Sequence, residues 1–118
     1  MTSISDFDYR HFCSELIYEA LEKPSMYFRT LEELQSIMFG HYFAYMQLGA
    51  ITARQSFSNC FVEWLRKTSE VSFSLGWADG IEQMALETDL DSVALFSQLV
   101  REFLSQWILG VGSKKSSE

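Results

Sequence analysis

The sequence predicts an all-α fold: a single-domain helical bundle of four to five helices with a buried central helix. Three observations carry this. Apolar residues recur at steps of three and four along four separate segments, the spacing that aligns side chains on one helix face. One proline and six glycines are few for an all-β chain with its many turns. A hydrophobic content of 47%, with 15% aromatic residues, is enough to build a core and is the opposite of a disordered composition. A length of 118 residues suits one domain. Residues 1–112 are assigned to the bundle and 113–118 to a polar, disordered tail.

The first helix is expected over residues 6–23. Tyr9, Phe12, Cys13, Leu16, Ile17, Ala20 and Leu21 form its stripe, Ser5 or Asp6 caps it, and Pro24 stops it. Residues 25–29 read as a connector. Met26, Tyr27 and Phe28 there lie on no stripe, so they form either a lid over the core or an exposed contact patch. Thr30 and Glu33 then make a capping box that opens a second helix over 31–54. From Ile37 to Ala53 this helix is apolar almost all round, which marks it as the buried centre of the bundle. Seventeen residues rise only about 25 Å, short of the ~30 Å hydrocarbon core, so a membrane span is not the reading. A third helix runs from Ser56 or Ser58 to Thr68, with Phe57, Cys60, Phe61, Trp64 and Leu65 inward. Residues 69–76 are irregular. A short helix follows over 77–86, with Trp77, Ala78, Ile81, Met84 and Ala85 inward. Thr88 and Asp91 form a second capping-box pattern before a last helix over 90–109, whose stripe runs through Phe96, Leu99, Val100, Phe103, Leu104, Trp107 and Ile108. Gly110 and Gly112 are expected to end it.

Chemistry is sparse. There are two histidines. His11 shares a helix face with Asp8, Glu15 and Glu19, which reads as a solvated face before it reads as a metal site. His41 lies in the apolar run and reads as a hydrogen-bonded core histidine. Cys13 and Cys60 sit among apolar neighbours and read as reduced core thiols, with a disulfide between them as the alternative. No zinc spacing, paired Glu-x-x-His or phosphate-cradling glycine loop occurs. The sequence therefore assigns no catalytic residue, no metal and no cofactor. The N-terminal residues carry neither a basic segment nor an apolar one, so a cytoplasmic location is expected.

Charge is the strongest functional signal. The net charge is -7, and six acidic residues with no Lys or Arg lie between Thr68 and Val100. They are Glu70, Asp79, Glu82, Glu87, Asp89 and Asp91. Such a surface repels nucleic acid and anionic membrane and attracts a basic protein. Asp89 and Asp91 also have a structural explanation at the start of the last helix, where the dipole favours negative charge.

Some local motifs point further. Lys23-Pro24-Ser25-Met26-Tyr27, then Leu31 and Leu34, then Gly40-His41-Tyr42, are followed by Phe61-Val62-x-Trp64-Leu65, Gly76-Trp77 and the aromatic segment from Phe96 to Phe103. Over roughly residues 23–104 this pattern resembles the helical immunity proteins of bacterial toxin–immunity systems, including those of contact-dependent growth inhibition. The resemblance implies a non-enzymatic inhibitor that binds one cognate toxin and masks its active site. It supplies no interface residues. Assigning the interface to the acidic cluster rests on charge: a nuclease toxin has a basic substrate groove, which an acidic surface complements. Two alternatives stand beside this. One is a helical adaptor or regulatory protein for another basic or apolar partner; the other is a small enzyme or metal-binding bundle.

Overall fold

A computed structural model describes the backbone of residues 6–67, 69 and 72–116, and the side chains of these as far as Ile108. Among the described residues there are six α-helices and no strand, so the all-α expectation holds. They are α1 (Asp6–Glu22), α2 (Pro24–Tyr27), α3 (Leu31–Gln47), α4 (Phe57–Arg66), α5 (Trp77–Thr88) and α6 (Ser92–Ser116), with a short 3-10 turn at Ala53–Gln55 before α4.

Local chemistry explains most boundaries. Proline cannot continue α1, but it suits the first turn of a helix, and the expected connector begins with the one-turn α2. Thr30 Oγ1 accepts from the Glu33 N–H at 3.2 Å, as a capping box requires. The return bond goes one residue further back, from the Arg29 N–H to Glu33 Oε1 at 2.7 Å. The second helix stops at Gln47 rather than continuing to Arg54. Gly49 takes a left-handed conformation (φ 76°), and the Ala50 N–H reaches back to the Tyr45 carbonyl. Ser56 caps α4 by accepting from the Asn59 N–H. The last helix passes through Gly110 and Gly112 instead of ending there.

Packing corrects the most specific expectation. The helix of the apolar run is not the buried centre. Helices α3 and α6 each pack on α1, α4 and α5, so those three fill the middle and α3 lies on one flank. Only Leu31, Leu34 and Met38 of α3 are buried, while Phe39 is 59% exposed and Phe43 is exposed beside it. No Asp, Glu, Lys or Arg occurs at 34–53, so this outer face carries no charge. The connector aromatics divide: Phe28 is buried in the core, Tyr27 is half-buried and Met26 is exposed.

The core is largely aromatic. Trp77 stacks on Phe96 with ring centres 5.0 Å apart, and Phe61 lies 5.1 Å from Phe103. Edge-on contacts from Phe57 to Trp77, Phe103 and Trp107 link α4, α5 and α6. Arg10 fastens α1 to α6: its Nη1 donates to the Trp107 carbonyl at 2.8 Å, while the guanidinium pairs with Asp6 and covers the Trp107 ring.

Candidate functional site

The acidic residues come from α5 and the turn into α6. On a helix, positions 79, 82, 83, 86 and 87 share one face, and in α5 that face points away from the buried Trp77, Ala78, Ile81 and Ala85. Asp79 and Glu82 are half-buried on it, and Glu87 is exposed. Asp79 Oδ2 accepts from Gln83 Nε2 at 2.8 Å. Asp89 and Asp91 are exposed in the turn that follows. Glu70 lies outside the described residues. Among the described residues, none of the other five carboxylates forms an ion pair. The four pairs seen there are Arg10–Asp6, His11–Glu15, Lys23–Glu19 and Arg29–Glu33, all one helical turn apart and away from this face.

The turn itself differs from expectation. Thr88 does not open α6. Its hydroxyl donates back to the Met84 carbonyl at 2.8 Å, inside α5. Asp89 closes α5 in a left-handed conformation (φ 58°, ψ 41°), at the helix end where the dipole disfavours negative charge. Glu87 lies in the same last turn. Only Asp91 plays the expected structural part, accepting from the Ala94 N–H at 2.9 Å to cap α6.

Sequence reasoning missed two residues here. Leu86 is 83% exposed and Leu90 is 52% exposed. Leu86 sits on the face formed by Asp79, Glu82 and Glu87, and Leu90 lies between Asp89 and Asp91 in the chain. The patch is thus two exposed leucines surrounded by carboxylates, not a purely acidic surface.

A second feature was invisible in the sequence. A cleft of about 1090 Å³ opens between α3, α4 and the segment leading into α5. Gln35, Ser36 and Phe39 line it from α3, and Asn59, Val62, Glu63 and Arg66 line it from α4. Arg54 of the 3-10 turn, Phe73 and Trp77 complete much of the wall. Gln35 shapes this end of the fold. Its Oε1 accepts from the Ala78 N–H at 2.9 Å and so caps α5 from another helix. Gly76 precedes α5 with φ 104°, and the Gln35 carboxamide occupies the space a Cβ would need. A helix that starts after a glycine, with no capping side chain of its own, was the signal that its first N–H groups needed an acceptor from elsewhere.

The nucleophile candidates are interior groups. Both cysteines are free thiols; Cys13 is buried and Cys60 is half-buried. Burial pushes the Cys13 thiol up to about 12, with the Tyr9 contact opposing that shift, so it is protonated near neutral pH. Burial also raises the Cys60 thiol and lowers His41 below the usual imidazole value. His41 is not the hydrogen-bonded core histidine expected. Its Nε2 is buried without a partner, and its ring packs against Tyr45 and Tyr9. Tyr9 is the better-placed polar group: its hydroxyl accepts from the Phe57 N–H at 2.7 Å, and burial raises its pKa. Among the described residues, no three His, Cys, Asp or Glu side chains converge as a metal site requires, and no helix is long and apolar enough to cross a membrane. No protein-family model, curated protein or solved structure matches this chain.

Proposed function

We propose that this chain is an immunity protein that neutralises a cognate bacterial toxin by masking its active site, and that the toxin presents a basic groove of the kind a nuclease uses. The observation that carries the reading is the patch on α5 and the following turn: exposed Leu86 and Leu90 among unpaired Asp79, Glu82, Glu87, Asp89 and Asp91. Apolar anchors with a charged rim are the composition of a protein interface, where the apolar part supplies affinity and the charges steer encounter. Two of the carboxylates are placed against folding. Glu87 and Asp89 stand at the end of α5 that disfavours them, and Asp89 occupies a conformation that glycine adopts at lower cost. Residues retained at a cost to stability fit a role in recognition.

The second reading is a helical adaptor for an apolar partner. The exposed, uncharged face of α3 around Phe39 and Phe43 favours it.

Co-expression with a candidate toxin, sought among the genes neighbouring this one, separates the two. The wild type restores growth, and the D79K/E82K/E87K triple variant associates more slowly at low salt, with a flatter salt dependence. Circular dichroism checks that the variant folds, since Glu87 is exposed but Asp79 and Glu82 are half-buried and Asp79 also accepts from Gln83. The proposal fails if the folded triple variant binds at the wild-type rate in low salt.

A further inference from the structure

The cleft between α3 and α4 has an unusual donor balance. Its buried-side acceptors are already used within the fold. Gln35 Oε1 takes the Ala78 N–H, and Ser58 Oγ takes the Trp77 indole N–H at 3.2 Å. Their donors are left over: among the described residues, the Gln35 amide hydrogens and the Ser58 hydroxyl hydrogen have no acceptor. Arg54 and Arg66 add two guanidinium groups to the same cleft. Among the described residues neither forms an ion pair, although the chain carries a net charge of -7 and Arg10, Lys23 and Arg29 are each paired with a carboxylate one turn away. Among the described residues, Glu63 is the one carboxylate in the lining, against two guanidinium groups. The cleft's accessible apolar wall comes from exposed Phe39 and half-buried Val62, with the buried Phe73 and Trp77 behind them.

We infer that this cleft binds an organic anion: an apolar body carrying carboxylate, phosphate or sulfonate groups. The free donors select an acceptor ligand, and guanidinium is the side chain best suited to anionic oxygens. The apolar wall selects an apolar body over a bare ion. The 3-10 turn folds back on α4, where Cys60 Sγ meets the Arg54 carbonyl at 3.5 Å, and Arg66 ends that helix, so two separate elements bring a guanidinium to the cleft. The volume of about 1090 Å³ lies just above the usual range for small-molecule sites, roughly 300–1,000 Å³. The site is distinct from the acidic patch and does not rest on the toxin reading.

Fluorescence titration with bis-anilinonaphthalene sulfonate, an elongated apolar dye with two sulfonates, tests this on the intact chain. Uncharged phenylnaphthylamine serves as the control for apolar binding alone. The expected result is saturable binding of the disulfonate. R54Q and R66Q should each weaken it about three- to tenfold, because both arginines are solvent-exposed. E63Q should tighten it, and the neutral dye should be indifferent to all three substitutions. Thermal melts confirm that the variants fold. The inference is overturned if the disulfonate shows no saturable binding, if the R54Q/R66Q double variant binds it as the wild type does, or if the neutral dye loses affinity in parallel.

Discussion

Gly80 offers a substitution whose sign depends on a single neighbour. It lies inside α5, where replacing glycine by alanine normally stabilises a helix by about 1 kcal/mol. At this position a Cβ would overlap the ring of Phe73, which packs directly on Gly80 and is itself buried. Shifting the ring within the core costs about 1–3 kcal/mol as overpacking, and expelling it to solvent costs about 1.5–3 kcal/mol of lost burial. The penalty exceeds the propensity gain, so G80A should destabilise the wild type by roughly 1–2 kcal/mol. Removing the ring first reverses the sign. In an F73A background the Cβ has room, and G80A should stabilise by about 0.5–1 kcal/mol. The expected coupling between the two sites is therefore about 2 kcal/mol, well above the additivity error for independent sites. Urea unfolding of the four proteins, followed by far-ultraviolet circular dichroism, gives the cycle. The reasoning is refuted if G80A stabilises the wild type, or if its effect is the same in both backgrounds.

Y9F should cost about 1–3 kcal/mol in the same unfolding assay, because it strands the buried Phe57 N–H at the start of α4; a loss below about 0.5 kcal/mol would show that this bond contributes little. Cys13 predicts an alkaline effect. Its thiol is raised from 9.0 to about 12 on folding, so the folded state holds the proton more tightly, and the associated stability is present below pH 9 and lost as pH rises through 12. The stability gap between wild type and C13A should therefore narrow over that window, and a constant gap would contradict the assignment.

The helices were legible because each buried face repeats at helical spacing and demands nothing of distant residues. Tyr9, Cys13, Ile17 and Ala20 of α1 could be placed inward from their spacing alone. The rank of the helices was not legible. An apolar run such as 37–53 reads as central, but burial depends on which neighbours arrive, and the space between α3 and α6 is filled by α1, α4 and α5. Leu86 and Leu90 lay off the inward stripes, but spacing alone did not show that the fold sets them beside the carboxylates. Asp89 was misplaced by one element because a left-handed turn separates α5 from α6 over only three residues. Gln35 acts 43 positions away from the N–H it caps, beyond any local pattern. Arg54 and Arg66 looked like ordinary surface residues until α4 brought both to one cleft.

The uncharged outer face of α3 also governs how the protein behaves as a solute. At low ionic strength, a net charge of -7 keeps molecules apart, and the aromatic surface at Phe39 and Phe43 stays out of reach of other copies. Added salt shortens the Debye length from ~10 Å at 0.1 M to ~3 Å at 1 M, which removes that repulsion and leaves apolar attraction intact. Sulfate strengthens the attraction further by its exclusion from the surface. The colloidal response is thus opposite to that of a protein held together by charge pairing. Concentrated stocks belong in dilute buffer well above the isoelectric point of about 4.7, and modest ammonium sulfate should precipitate the folded protein or retain it on an apolar resin.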